Sequence, residues 1–149
     1  MTKKHFLFSP GIWIGEGSIT FSDAAEKLKF YTRWKIEERE SGNVHGEQHV
    51  EIQGGSDRIQ NQYEISGHKD DKFSITLRNE LVSMVEGSGV LDGDKIAWEF
   101  RGHPNFEGYE VYQLKSEDEY DFRAEYVSPD QLRSVIVGRI WKKKEEEAS

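Results

Sequence analysis

Residues 28–37 read Leu28-Lys29-Phe30-Tyr31-Thr32-Arg33-Trp34-Lys35-Ile36-Glu37. Leu28, Phe30, Thr32, Trp34 and Ile36 take every second position, and Lys29, Tyr31, Arg33, Lys35 and Glu37 fill the others. Side chains of a strand alternate between its two faces, so this stretch builds one largely apolar face and one charged face. That pattern belongs to an antiparallel sheet with a single buried side. No segment of the chain sustains the three-to-four-residue apolar period of an amphipathic helix.

The alternation extends outward in both directions. Gly11 to Ser22 places Trp13, Gly15, Gly17, Ile19 and Phe21 on one side, with Asp23 to Lys27 as the link to Leu28–Arg39. Downstream, Ser41-Gly42-Asn43 turns the chain into His45–Gln53, and Gly54-Gly55-Ser56-Asp57 turns it into Ile59–Ser66. Gly67 to Asp71 leads to Phe73, Ile75 and Leu77. Leu81–Leu91 and Lys95–Arg101 flank Asp92-Gly93, a strong hairpin signal. Tyr109–Lys115, Glu119–Val127 and Leu132–Lys143 complete the series, separated by Ser116-Glu117-Asp118 and Ser128-Pro129-Asp130. About ten short strands at near-regular spacing imply an all-β sandwich or barrel. Sequential hairpins close most simply as an up-and-down antiparallel barrel. Gly15 with Gly17, and Gly87 with Gly89, lie two apart on one face, where paired glycines permit the bends a barrel needs. Residues 1–149 are expected to form one domain, with 1–8 and 144–149 as flexible ends.

A chain of 149 residues is long enough to bury a core unaided, and it contains no cysteine, which excludes disulfides and thiolate metal sites. Its formal charge of −8 argues against nucleic-acid binding, which needs a surplus of Lys and Arg. Lys142-Lys143-Lys144 is offset at once by Glu145-Glu146-Glu147. No stretch has the length of a signal peptide's apolar region or of a spanning helix, so a cytoplasmic location without membrane contact is expected.

Gly11-Ile12-Trp13-Ile14-Gly15-Glu16-Gly17 resembles the first strand of the calycin superfamily, which includes lipocalins, fatty-acid-binding proteins and nitrobindin-like barrels. Gly11 and Trp13 match the Gly-x-Trp of lipocalins, and Gly15 and Gly17 extend it to the nitrobindin-like form. The resemblance implies a lipocalin-like barrel in which Gly11, Trp13 and Arg139 close the structure, the arginine packing across the tryptophan. Three departures bear on function. The lipocalins' Thr-Asp-Tyr motif has no counterpart. The last strand has no histidine to hold a haem, so no cofactor is expected. Asp23–Lys27 is too short for a fatty-acid-binding helical lid. Ser9, Gly11 and Trp13 are also similar to the opening of lipocalin-like lyases that attach bilins to antenna proteins, a likeness confined to those three residues.

The candidate binding site is the barrel interior. Phe30, Trp34, Trp98, Phe100, Phe122 and Tyr126 are its expected aromatic wall, with Thr32, Gln48, Asn61 and Ser83 as inward polar groups. Gln113 can be assigned to either face. An apolar pocket with a few convergent polar groups is what a small-molecule site requires. The alternative is a solid core in which the same residues simply pack. His45, Glu47 and His49 share a strand face, but Val50 and Ile52 claim the buried one, so no metal site is expected. Glu16, Glu37, Glu47, Glu51, Glu64, Glu99, Asp121 and Glu125 fall on outer faces, and His103 before Pro104 sits in a rim loop. Gly87-Ser88-Gly89 lacks the third glycine of a dinucleotide loop, and no catalytic residues are assigned. The sequence thus points to non-catalytic binding of a small, largely apolar molecule. The competing functions are a small barrel enzyme (an isomerase or lyase on a hydrophobic substrate) and a protein-interaction module with a packed interior.

Overall fold

A computed structural model describes residues 5–55, 58–80, 82–103, 106–127 and 132–144. Its strands are β1 (Gly11–Phe21), β2 (Ala24–Glu38), β3 (Val44–Ile52), β4 (Arg58–Lys69), β5 (Lys72–Arg78), β6 (Val85–Asp92), β7 (Lys95–His103), β8 (Phe106–Ser116), β9 (Glu119–Val127) and β10 (Arg133–Lys142). Every strand pairs antiparallel with the next, and β10 returns to β1, so the sheet is a closed ten-strand barrel without a free edge. The decisive stretch behaves as its alternation requires: Phe30, Thr32, Trp34 and Ile36 are buried, while Tyr31, Arg33 and Lys35 are exposed. Asp23–Lys27 is not a separate linker, because β2 begins at Ala24 directly after a tight turn. The 128–130 turn, Leu81 and the tail 145–149 lie outside the described residues. No helix among the described residues is long and apolar enough to cross a membrane.

The two barrel ends differ. The β2–β3, β4–β5, β6–β7 and β8–β9 links gather at one end, and the N-terminal segment closes it. Residues 5–8 are therefore not a flexible end. Phe6–Phe8 forms a single 3-10 turn in which Phe6 and Leu7 are fully buried. The Phe6 ring lies 4.7 Å from that of Tyr112, 5.4 Å from Trp34 and 5.6 Å from Tyr120. His5 fastens the turn: its Nε2–H donates to the Gly93 carbonyl (2.9 Å), which leaves Nδ1 to accept the Tyr120 hydroxyl (3.2 Å). No periodic signal announces a plug of this kind, since a lone apolar triplet has no period to read.

Trp13 is buried at this end, its indole N–H donating to the Ser9 carbonyl (3.3 Å). The cation over its ring is Lys142, at 5.9 Å, and not Arg139. The register explains the correction. Trp13 stands opposite Lys142 and Glu16 opposite Arg139, which puts Arg139 on the outer face. There it pairs with Glu16 at 3.1 Å and lies 5.1 Å from the centre of the Trp141 ring.

The inward glycines serve close packing. Gly17, Gly87, Gly89, Gly108 and Gly138 stand directly opposite Phe30, Phe100, Phe73, Tyr126 and Phe122 on neighbouring strands. In each pair the ring fills the space that a Cβ on the glycine would occupy. Large side chains thus reach across the wall to fill the interior, and the missing Cβ atoms give them room.

Two outcomes follow from this packing. Gly89→Ala should cost roughly 1–3 kcal/mol by overpacking against Phe73, and Phe73→Leu in the same chain should recover part of the loss, as read by urea denaturation. Phe6→Ala should cost about 3–5 kcal/mol, the usual penalty for an emptied aromatic site. A loss below 1 kcal/mol would show that the plug is not integral to the core.

Candidate functional site

Inward residues of the middle layers are buried, Leu91 and Leu114 beside the plug are partly covered, and so are many inward residues toward the opposite end. Phe21, Leu28, Val50, Ile52, Ile59, Phe106, Tyr126 and Ile136 are only partly covered, although they point inward. The open end thus has a partly covered apolar rim, and beneath it lie two polar arrays. The first is a rail across neighbouring strands. Gln48 Nε2 donates to Thr32 Oγ1 (3.1 Å), Asn61 Nδ2 to Gln48 Oε1 (2.9 Å) and Asn79 Nδ2 to Asn61 Oδ1 (2.9 Å). The Val82 backbone N–H completes it by donating to Asn79 Oδ1 (2.9 Å).

The second array lies on the other side of the barrel, since β8 is separated from β3 by five strand steps in either direction. Glu110 on β8 points inward between Trp98 on β7 and Ala124 on β9, and it is 6% exposed. The Tyr112 hydroxyl donates to Oε1 (2.8 Å), and the Tyr126 hydroxyl donates to Oε2. The Trp98 indole N–H faces the same carboxylate, yet it falls short of hydrogen-bond geometry and, like that of Trp34, is left without a bonded partner. Burial pushes the Glu110 carboxyl above its ordinary value of 4.5, against the opposing pull of Tyr126, Tyr112 and Trp98. Burial, and then the negative charge of Glu110, push the phenols of Tyr63, Tyr112 and Tyr126 well above 10.0, so all three remain protonated donors. No cation pairs with Glu110 among the described residues.

Most of the residues singled out in the sequence meet here. Trp34, Trp98 and Phe100 are fully covered, Thr32, Phe30 and Phe122 nearly so, and Gln48, Asn61 and Tyr126 are half-buried inside. Ser83 is a correction. It sits with φ 57° in the exposed turn between β5 and β6, because β6 begins only at Val85. Gln113 faces outward, opposite Lys95 and Asp121. His45 pairs with Glu64 (3.0 Å) and Glu47 with His49 (3.2 Å) on the outer surface. No group of three or more potential metal ligands occurs among the described residues.

Glu110 escaped the sequence reading because Tyr109 and Val111 give β8 apolar side chains on both faces. The usable signal is that Glu110 shares its parity with Tyr112 and Leu114, close to the hairpin that fixes the register with β9. A separate cleft of about 730 Å³ lies at the plugged end between hairpin tips, bordered by Phe8, Glu38 and His68, and contains none of these residues.

No protein-family model and no curated protein matches the chain. Solved structures do share its architecture. The S-type phycobiliprotein lyase CPES from Guillardia theta superposes with a TM-score of 0.74 at 10% identity, over 98% of this chain and 95% of that one. A protein of unknown function from the DUF3598 family of Nostoc punctiforme gives 0.66 at 12% identity, over 96% of this chain but 51% of its own. EF1p2_mFAP2b, solved bound to DFHBI, gives 0.52 at 12% identity, over 91% of this chain and 94% of its own. At such identities the likeness is one of fold.

Proposed function

We propose that the protein is a lipocalin-like binding barrel that takes a small, largely apolar molecule into the open half of its interior, without transforming it. The observation that carries this reading is the pair of polar arrays buried beneath the partly covered apolar rim. Ionisable groups are seldom buried in an aromatic core without a use, and Glu110, held by the Tyr112 and Tyr126 hydroxyls beneath the open rim, is such a group. The rail of Thr32, Gln48 and Asn61 opposite supplies further orienting groups for a ligand that enters between them. A lyase acting on phycobiliproteins and a barrel that holds DFHBI share this fold, which supports the same use of the interior. Glu110 also favours a second reading, a small barrel isomerase or lyase in which this carboxyl moves a proton.

N-phenyl-1-naphthylamine, an uncharged probe that brightens in apolar surroundings, tests the binding function. It should bind one-to-one and quench Trp34 and Trp98 emission. Ala124→Phe, which places a ring beside Glu110, should abolish binding and leave the strand circular dichroism intact. Loss of stability with no probe binding in the parent protein would instead show a solid core and sink the proposal.

The buried carboxyl also sets a pH dependence. Because its folded value lies above 4.5, the folded state holds a proton that the unfolded chain has released. Its contribution to stability is fully present below that value and falls as pH rises toward the folded one. Glu110→Gln removes the titration, so the stability difference in its favour should widen as pH is raised from 4 in denaturation experiments. Parallel pH profiles for the two proteins would contradict the burial of an ionisable Glu110.

A further inference from the structure

We infer that the cleft at the plugged end of the barrel is a second binding site, suited to a linear aliphatic polyamine, in which several ammonium groups are joined by methylene spacers. It is separate from the interior and does not depend on the binding function proposed above. Room comes first. The cleft encloses about 730 Å³, within the range of small-molecule sites. Its base is apolar: Ile36, Val44 and Ile65 are buried there, and Phe8 and Leu91 are half-buried. Phe8 lies against His68, with ring centroids 4.6 Å apart.

Charge decides what this cleft accepts. Four exposed carboxylates stand on its rim, supplied by three hairpins: Glu38 at the end of β2, Asp70 and Asp71 between β4 and β5, and Asp94 between β6 and β7. Glu38 shares the inward parity of Trp34 and Ile36, which brings it over the barrel end. No lysine or arginine lines the cleft, and Lys69, Lys72 and Lys95 of the same hairpins lie outside it. Among the described residues none of the four carboxylates takes part in an ion pair, whereas eight others, from Glu16 with Arg139 to Glu125 with Arg123, have a basic partner. A single ammonium would meet one edge of this rim. A ligand with several reaches carboxylates on different hairpins while its methylenes cover the base, so that weak exposed ion pairs add along one chain.

The frame is fixed without a ligand. Lys69 pairs with Lys72 and Asp92 with Lys95, which closes the two acidic turns, with Asp70 and Gly93 each at φ 58°. The Leu91 N–H donates to the Asp71 carbonyl (2.8 Å), and His5 Nε2–H donates to the Gly93 carbonyl (2.9 Å). One tip is thus tied to β6 and the other to the plug. Such preorganisation lowers the cost of binding.

The test is isothermal titration calorimetry of the full-length protein with spermine, putrescine and a trilysine peptide, at pH 8 and low salt. Spermine should bind one-to-one and about tenfold more tightly than putrescine, because it engages more of the rim. Asp70→Asn with Asp71→Asn should weaken spermine about fivefold, and Asp94→Asn alone about threefold. Asparagine tolerates the positive φ of Asp70, and Asp94→Asn keeps the comparison if the double variant does not fold. Glu47→Gln with Glu51→Gln removes the same formal charge from the outer wall and should change affinity by less than about twofold. Equal losses in the cleft and outer-wall variants, or more than one spermine per chain, overturn the assignment, since diffuse surface charge would then be the cause. Trilysine binding more tightly than spermine overturns it in favour of a basic peptide. Binding that appears only after Lys3→Gln with Lys4→Gln overturns it in favour of the chain's own lysines, and no binding in any form overturns it outright. Each of these results leaves the interior binding function standing.

Discussion

A ring laid across a glycine on the neighbouring strand is the contact on which the barrel depends. Five such pairs, from Gly17 under Phe30 to Gly138 under Phe122, run around the wall. Each lets a bulky side chain lie flat against the sheet instead of standing into the middle. The interior is thereby filled near the plug without any strand being pushed outward, and the ring of hydrogen bonds stays closed. Farther along the rings still meet, Phe30 with Phe122 at 6.1 Å and Phe106 with Tyr126 at 4.9 Å between centroids.

The polar groups of the interior are intelligible on that background. A side chain lying flat brings its polar tip to a fixed height, so Tyr126 over Gly108 reaches Glu110, one layer deeper on the same strand. The rail from Thr32 to Asn79 is held differently, by amides that bond each other in sequence and leave no member unpaired along its length. One side of the interior is therefore held by a chain of amides and the other by a buried carboxyl between two phenols.

Much of this was legible in the residues. Alternation from Leu28 to Ile36 places inward and outward faces correctly, and the β6–β7 hairpin forms one residue past the Asp92-Gly93 signal, turning through Gly93-Asp94. Nine of the ten expected interior residues point inward, because strand parity is a local property that sequence carries faithfully. What failed was non-local or unpaired. Ser83 lies outside the strand because β6 starts at Val85 and not at Leu81, where the apolar pattern begins. Arg139 was assigned to Trp13 by analogy of position, and only the pairing of β1 with β10 reveals that the two face opposite ways. Phe6 and His5 were unreadable, since their burial depends on partners such as Tyr120, 115 residues from His5. Glu110 was hidden by apolar residues on both sides of β8.

The docking of the N-terminal turn carries a further consequence for how the molecule is made. Phe6 is synthesised well before its partners Tyr112 and Tyr120, and β1 waits on β10 for one of its two hydrogen-bonded edges. During translation β1 therefore presents an apolar face and an open edge until β10 has emerged. Contacts so distant in sequence slow folding and lengthen exposure to aggregation. The charged outer face of β2, with Lys29, Arg33, Lys35 and Glu37 in alternation, keeps the first hairpin soluble on one side through that interval. Surface charge here acts as protection for a nascent chain whose last strand has yet to arrive.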